Sequence, residues 1–182
     1  MAEYSDQELL NIFRDKEKRN YAFNFIVRKY QERLYWHIRK IVLNHDDTDD
    51  ILQNTFIKAF QGLENFREDS KLYTWLYRIA TNESITFLNS KRKRFFLPLV
   101  DVSKELANNL ESDSWFSGDE LQLKLQKAIL NLPEKQRIIF NMKYFDEMKY
   151  EDISEVLNTS VGALKASYHH AVKKIEKFII DD

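Results

Sequence analysis

Apolar residues recur at intervals of three and four along most of this chain, which predicts amphipathic helices. Phe23, Ile26, Val27, Tyr30, Leu34, Ile38, Ile41 and Val42 form one stripe on a long helix. A short helix should precede it, because Ser5-Asp-Gln-Glu8 has capping-box spacing ahead of Leu9, Leu10 and Phe13. Asp46–Asp50 (DDTDD) reads as an acidic helix start, where carboxylates favour the positive end of the dipole. Ile51, Leu52, Thr55, Phe56, Ala59 and Phe60 give that helix its inner face, and Gly62 is a candidate stop. A loop over Leu63–Ser70 should lead into a helix with Tyr73, Leu76, Ile79, Ala80, Phe87 and Leu88 inward and the basic run Lys91–Arg94 at its end.

The pattern fades after about residue 95. Residues 101–120 hold six acids against the single Lys104, with Asn, Ser and Gly interspersed, so 95–119 is expected to be an acidic linker. Periodicity returns at Leu121, Leu125, Ile129 and Leu132, and Pro133 is placed to open a further helix with Ile138, Ile139 and Met142 on its core side. The expected fold is all-α: a helical domain over 1–94 and a second over 120–182, the latter containing a helix-turn-helix.

Composition supports this. There are 3 Gly and 2 Pro, too little punctuation for strands and hairpins. The 28 basic and 29 acidic residues nearly cancel, so charge placement matters more than its sum. The absence of Cys excludes a disulfide scaffold or thiolate metal site and fits a reducing cytoplasm. No apolar run approaches a membrane span, and the start MAEYSDQELL lacks a basic-then-apolar leader, so a cytoplasmic location without membrane insertion is expected.

Two stretches carry nucleic-acid chemistry. Tyr150–Lys177 reads as two helices meeting at a tight turn, with Asn158 able to take the left-handed conformation and Thr159 or Ser160 able to cap the second helix. At 100° per residue, Val161, Leu164, Tyr168, Ala171 and Ile175 fall on the packed side of that helix. Gly162, Ala163, Ala166, His169, His170, Lys173 and Lys177 lie opposite, flanked by Lys165 and Ser167. Small residues at the N-terminal end allow approach to base edges, and cations further along suit phosphates. An ordinary amphipathic pair with solvated lysines is the plainer alternative. Metal ligation by His169 and His170 is disfavoured, because neighbouring helical side chains diverge by about 100°. Upstream, Phe66, Tyr73, Trp75 and Tyr77 are interleaved with Arg67, Lys71 and Arg78. Each aromatic alone reads as packing. Together with the polar loop Arg67-Glu-Asp-Ser70 and Asn82 they suggest a grip on unpaired DNA, where stacking gives about 1–3 kcal/mol per base.

These residues bring the chain to a family. The motifs AFNFIVRKYQERLY, DDILQNTFIKAFQGLENFREDSKLYTWLYRIATNE and LPEKQRIIFNMKYFDEMKYEDISEVLNTSVGALKASYHHAVKKI resemble bacterial sigma factors of the extracytoplasmic-function (ECF) class, in the same order and over nearly the whole chain. The resemblance implies a non-enzymatic subunit of RNA polymerase holoenzyme, without cofactor or metal. It implies docking on the β′ clamp helices through Asp50, Gln53, Asn54, Phe56 and Ile57, and contact with the β flap. It implies capture of unpaired −10 DNA by Phe66, Arg67, Glu68, Asp69, Ser70, Lys71, Tyr73, Trp75, Arg78 and Asn82. It implies reading of duplex −35 DNA by Ser160, Gly162, Ala163, Lys165, Ala166, Ser167, His169, His170 and Lys173, and an anti-sigma partner. Many members carry Ser-Arg where this chain has Ala166-Ser167, so no relative's promoter sequence transfers to it.

Magnitudes favour a subunit over a lone melting protein. Opening about ten base pairs costs about 14 kcal/mol at about 1.4 per step, and a few base pockets supply only part of that. Near-neutral charge also predicts weak binding of free DNA. A conventional helix-turn-helix regulator would leave the aromatic loop and acidic helix without a use. A nuclease with Asp46, Asp47, Asp49 and Asp50 on magnesium would have only His45 nearby as a base, and a pure adaptor would not need a reading helix.

Overall fold

The structure, a computed structural model, describes residues 4–94 and 120–181. Among them there are helices and no strand. The expected acidic linker lies outside the described residues. The first unit is α1 (Asp6–Phe13), α2 (Arg19–Val42), α3 (His45–Leu63) and α4 (Leu72–Arg94). The second is α5 (Glu120–Leu130), α6 (Glu134–Tyr144), α7 (Tyr150–Leu157) and α8 (Val161–Asp181).

Local chemistry sets the helix ends. The Ser5 hydroxyl accepts from the Glu8 amide at 3.3 Å, and the Glu8 carboxylate accepts from the Ser5 amide at 2.7 Å, so the capping box forms as expected. The Asn44 side chain accepts from the Asp47 amide at 2.9 Å and opens α3, with Asp46 and Asp47 in its first turn. Asn158 takes the left-handed conformation, φ 47°, between α7 and α8, and the Ser160 hydroxyl accepts from the Ala163 amide at 3.4 Å. Pro133 sits one residue outside α6, at its cap. Gly62 does not stop α3, which continues through Leu63. A Cβ at Gly62 would lie 2.9 Å from the Trp75 ring, so the glycine makes room for that indole.

α2 is the axis of the first unit, with Ile26, Leu34, Ile38 and Ile41 inaccessible to solvent. Leu164, Ala171 and Ile175 anchor α8 in the second. The two units are docked. Ile139, Met142, Met148, Ile153 and Val156 from α6, α7 and their connection join the same buried cluster as α1–α4. Burial at this scale is worth about 25 cal/mol per Å² of apolar surface, so the seam has a hydrophobic floor.

A polar latch crosses the seam above that floor. Asp146 accepts from His37 Nδ1 at 2.8 Å and from Lys40 at 2.6 Å, with the Asp146 side chain 5% exposed and His37 fully covered. The Thr81 hydroxyl donates to the Tyr77 carbonyl at 2.7 Å and lies 2.9 Å from His37 Nε2. The His37–Asp146 bond has an ionised carboxylate as its acceptor and is therefore charge-assisted. Burial pushes the Asp146 carboxyl up, but the His37 hydrogen bond and the Lys40 charge outweigh it and hold the group below the usual carboxylate range. Asn141 adds a hydrogen bond to the Lys40 carbonyl at 3.3 Å.

Candidate nucleic-acid and polymerase interfaces

Three surfaces hold the residues singled out by sequence. The first is an open groove of about 670 Å³ between α2 and α3, lined by Phe23, Phe56, Ile57 and Phe60 with Asn20 and Gln53 at its polar edges. Ile57 is 49% exposed and Phe60 37%, unusual for large apolar side chains on a helix that is otherwise well packed. Asp50, Gln53 and Asn54 are exposed along the same helix, while Phe56 is buried beneath them as the groove's floor. Phe60, expected on the inner face, is turned partly to solvent and makes edge contacts with Phe13 and Phe23.

The second surface surrounds the loop between α3 and α4. Arg67, Glu68 and Asp69 are exposed, Ser70 is half-buried, and a cavity of about 510 Å³ opens beside them. Leu10 and Phe66 give that cavity apolar walls, while Gln7, Asp69 and Ser70 give it polar ones. Trp75 is half-buried and packs its indole on Phe66, with centroids 5.0 Å apart, so it supports the loop from below. Asn82 is exposed one face further along α4. Glu68 has φ 61°, a left-handed backbone that a residue with a Cβ adopts only when its surroundings hold it there.

α7 covers part of this surface. Lys71 donates to Asp152 at 2.9 Å. Arg78 places Nε and a terminal nitrogen on the Glu155 carbonyl at 3.0 and 2.7 Å. Burial and a hydrogen bond to Asp152 push the Tyr73 phenol up. Burial opposes ionisation of Asp152, but hydrogen bonds from Lys71 and Tyr73 prevail and its carboxyl lies below the ordinary range. The same bond raises the Lys71 ammonium. Asp152 is acidic, yet its side chain is 8% exposed and lies against the Lys71 ammonium of the first unit.

The third surface is the outer side of α8. Ser160, Gly162, Ala163, Lys165, Ala166, His169, His170 and Lys173 are exposed and Ser167 is half-buried, as the helical wheel predicts. A Cβ at Gly162 would meet nothing within 4 Å, so the N-terminal end of the helix is open to an approaching duplex. Lys165 lies over the Tyr150 ring at 5.7 Å and Lys143 lies over the same ring at 5.0 Å. Sequence missed this aromatic platform. The only cue was Tyr150 at the start of the first helix of the pair, directly ahead of Glu151 and Asp152.

A four-helix unit with an exposed apolar groove and a polar loop, docked to a helix-turn-helix unit, is the architecture of sigma-70-type initiation factors. Residues 26–94 match the family description "Sigma-70 region 2" and residues 122–175 match "Sigma-70, region 4". The chain is similar to the RNA polymerase sigma-H factor of Pseudomonas aeruginosa, 33% identical over 187 residues with 97% of this chain and 95% of the relative covered. It is 32% identical to the ECF RNA polymerase sigma factor SigW of Bacillus subtilis (88% and 90% covered). It is 31% identical to the ECF RNA polymerase sigma-E factor of Haemophilus influenzae (96% and 95% covered). In fold it is similar to CnrH in complex with the cytosolic domain of CnrY, TM-score 0.69 at 22% identity, with 97% of this chain and 98% of that one covered. The sigma factor RpoE of Bartonella quintana, in complex with the anti-sigma factor NepR, gives 0.67 at 18% identity, covering 88% and 98%.

The chain belongs to the ECF sigma factors of bacterial RNA polymerase. Members of this family are initiation subunits that confer promoter-specific transcription and are not enzymes. Among the described residues no helix is long and apolar enough to cross a membrane.

Proposed function

We propose that this chain joins core RNA polymerase through the groove between α2 and α3, reads −35 duplex with the outer side of α8, and captures unpaired −10 DNA in the loop between α3 and α4. The observation that carries the reading is the separation of three chemically distinct surfaces on one small chain. An apolar groove with a polar edge suits a protein helix, a polar cavity beside the tilted Phe66–Trp75 pair suits an extruded base, and a small, then basic, helix face suits a major groove. Asp50, Gln53, Asn54 and Ile57 take the polymerase side, over Phe56. Asp69 and Ser70 address the base edge, Arg67, Lys71 and Arg78 the phosphates, and Asn82 an adjacent nucleotide.

The regulatory partner is suggested by the seam. While α7 holds Lys71 and Arg78, two of the three cations assigned to phosphates already have a carboxylate or carbonyl partner. DNA must displace them. An anti-sigma protein that stabilises the docked arrangement would silence the factor without touching the reading helix. The experiment is reconstitution: purified chain, core polymerase and duplex promoter, with permanganate footprinting of unpaired thymines. Initiation and footprints that depend on the chain support the reading. A chain that binds promoter DNA alone, yet adds no initiation, marks it as a conventional regulator instead.

A further inference from the structure

We propose that Gln7 of α1 and Arg14 at its C-terminal cap are specificity-positioning residues of the −10 loop, holding Glu68 so that the base-capture cavity keeps its shape. The proposal rests on the base-capture reading above and goes beyond it by placing part of the selection machinery on the N-terminal helix.

Glu68 is the corner of the loop. Its backbone is left-handed at φ 61°, and an L-residue there relaxes unless it is tied down. Both carboxylate oxygens are tied. Gln7 Nε2 donates to one at 3.0 Å, and a terminal Arg14 nitrogen forms an ion pair with the other. Arg14 is itself oriented by Asn11, to which it donates at 3.1 Å. The tie runs between two cavities, the one beside Asp69 and Ser70 and a smaller one of about 110 Å³ lined by Phe13, Arg14 and Leu63. Nothing else among the described residues is hydrogen-bonded to the Glu68 side chain.

A tie is only as firm as its anchor, and α1 is firmly held. Leu9 and Phe13 are buried. The Tyr30 hydroxyl lies 2.7 Å from both Asp6 oxygens, and Lys29 pairs with Asp6 at 2.8 Å. The path from the core runs through Tyr30 to Asp6, along α1 to Gln7 and Arg14, and on to Glu68. Asp6, Gln7 and Leu10 also wall the cavity directly. A loop free to swing at Glu68 would present Asp69 and Ser70 to a base edge in many orientations, and geometric selection would be lost before affinity is.

The test uses full-length chain in holoenzyme with fork-junction DNA whose unpaired −10 strand carries each of the four bases at the captured position. Base-edge hydrogen bonds discriminate by about tenfold or more. Gln7→Ala with Arg14→Ala should reduce the wild-type preference ratio to about threefold or less, while assembly with core polymerase is unchanged. Arg14→Glu alone should do the same, and Arg14→Glu combined with Glu68→Arg should restore much of the ratio by re-forming the pair. A merely structural role would lower the thermal midpoint and leave the base-preference ratio unchanged. If the variants keep the full ratio while replacement of Arg67–Ser70 by a neutral linker abolishes it, the positioning role is overturned and base capture stands. If the loop replacement also leaves the ratio intact, base capture fails and the proposal with it.

Discussion

Asp146→Ala removes the carboxylate that accepts from both the buried His37 ring and the Lys40 ammonium. His37 is fully covered and the Lys40 side chain is 13% exposed, so a buried ring N–H would lose its acceptor and a largely covered ammonium its counter-charge. Breaking a buried pair in this way costs about 3–5 kcal/mol. Both donors lie on α2 and the carboxylate lies between α6 and α7, so the loss falls on docking of the two units rather than on either one's internal packing. At about 1.4 kcal/mol per factor of ten, the undocked population should rise by about a hundredfold to a few thousandfold. The apolar floor of Met148, Ile153 and Val156 remains, so complete opening is not required for the effect to be read. Amide hydrogen exchange reports opening free energies directly. Exchange should accelerate by that factor along the seam faces of α4 and α7 and stay unchanged in α3. Binding of a single-stranded oligonucleotide by free protein should strengthen as Lys71 and Arg78 are released. Replacing His37, Asp146 and Lys40 together by apolar residues of similar volume should be near neutral, because no charge is then stranded. Native exchange rates along the seam in Asp146→Ala, in a protein with native helix content, would refute the reasoning.

The Asp146 and Asp152 carboxyls are both lowered by folding, so their contribution to docking is fully present above the unfolded value of about 3.9 and is lost as pH falls through their lower folded values; seam exchange against pH should be flat down to about pH 4 and rise below it. Asp50→Lys should weaken assembly with core polymerase by reversing an exposed charge beside the α3 groove, with the thermal midpoint preserved, as read by native gel shift and calorimetry. Lys173→Ala should weaken promoter binding about equally across sequences and lower the salt slope by about one, whereas Lys165 or His169 substitutions should change which −35 sequences are selected from a randomised pool; a uniform loss from all three would end that division of labour.

Local chemistry was legible in the sequence and contact between distant segments was not. The capping box at Ser5, the acidic start of α3, the left-handed Asn158 and the two sides of α8 all depend on residues within a few positions of one another, so periodicity and spacing reveal them. The latch joins residues 109 and 106 positions apart, and no helical period encodes such a pairing. Asp152 shows why: its place on the α7 wheel is polar, and only the arrival of Lys71 and Tyr73 makes it a buried partner. Gly62 invited a helix stop, the common use of glycine, whereas its missing Cβ serves the indole of a residue on another helix. Phe60 and Leu121 have core spacing but lie 37% and 65% exposed, since a wheel gives direction and not what stands opposite.

The latch also bears on how such a factor changes over generations. Asp146 lies outside the α3 groove, the loop cavity and the outer side of α8, so a substitution there alters none of the residues proposed to choose a promoter. What it alters is the fraction of molecules ready to choose one. If docking gates the proposed function, selection acting on that single aspartate raises or lowers the basal output of a whole gene set in proportion, leaving its membership intact. Lineages needing a quieter or a more excitable response have a dosage control separate from the address code.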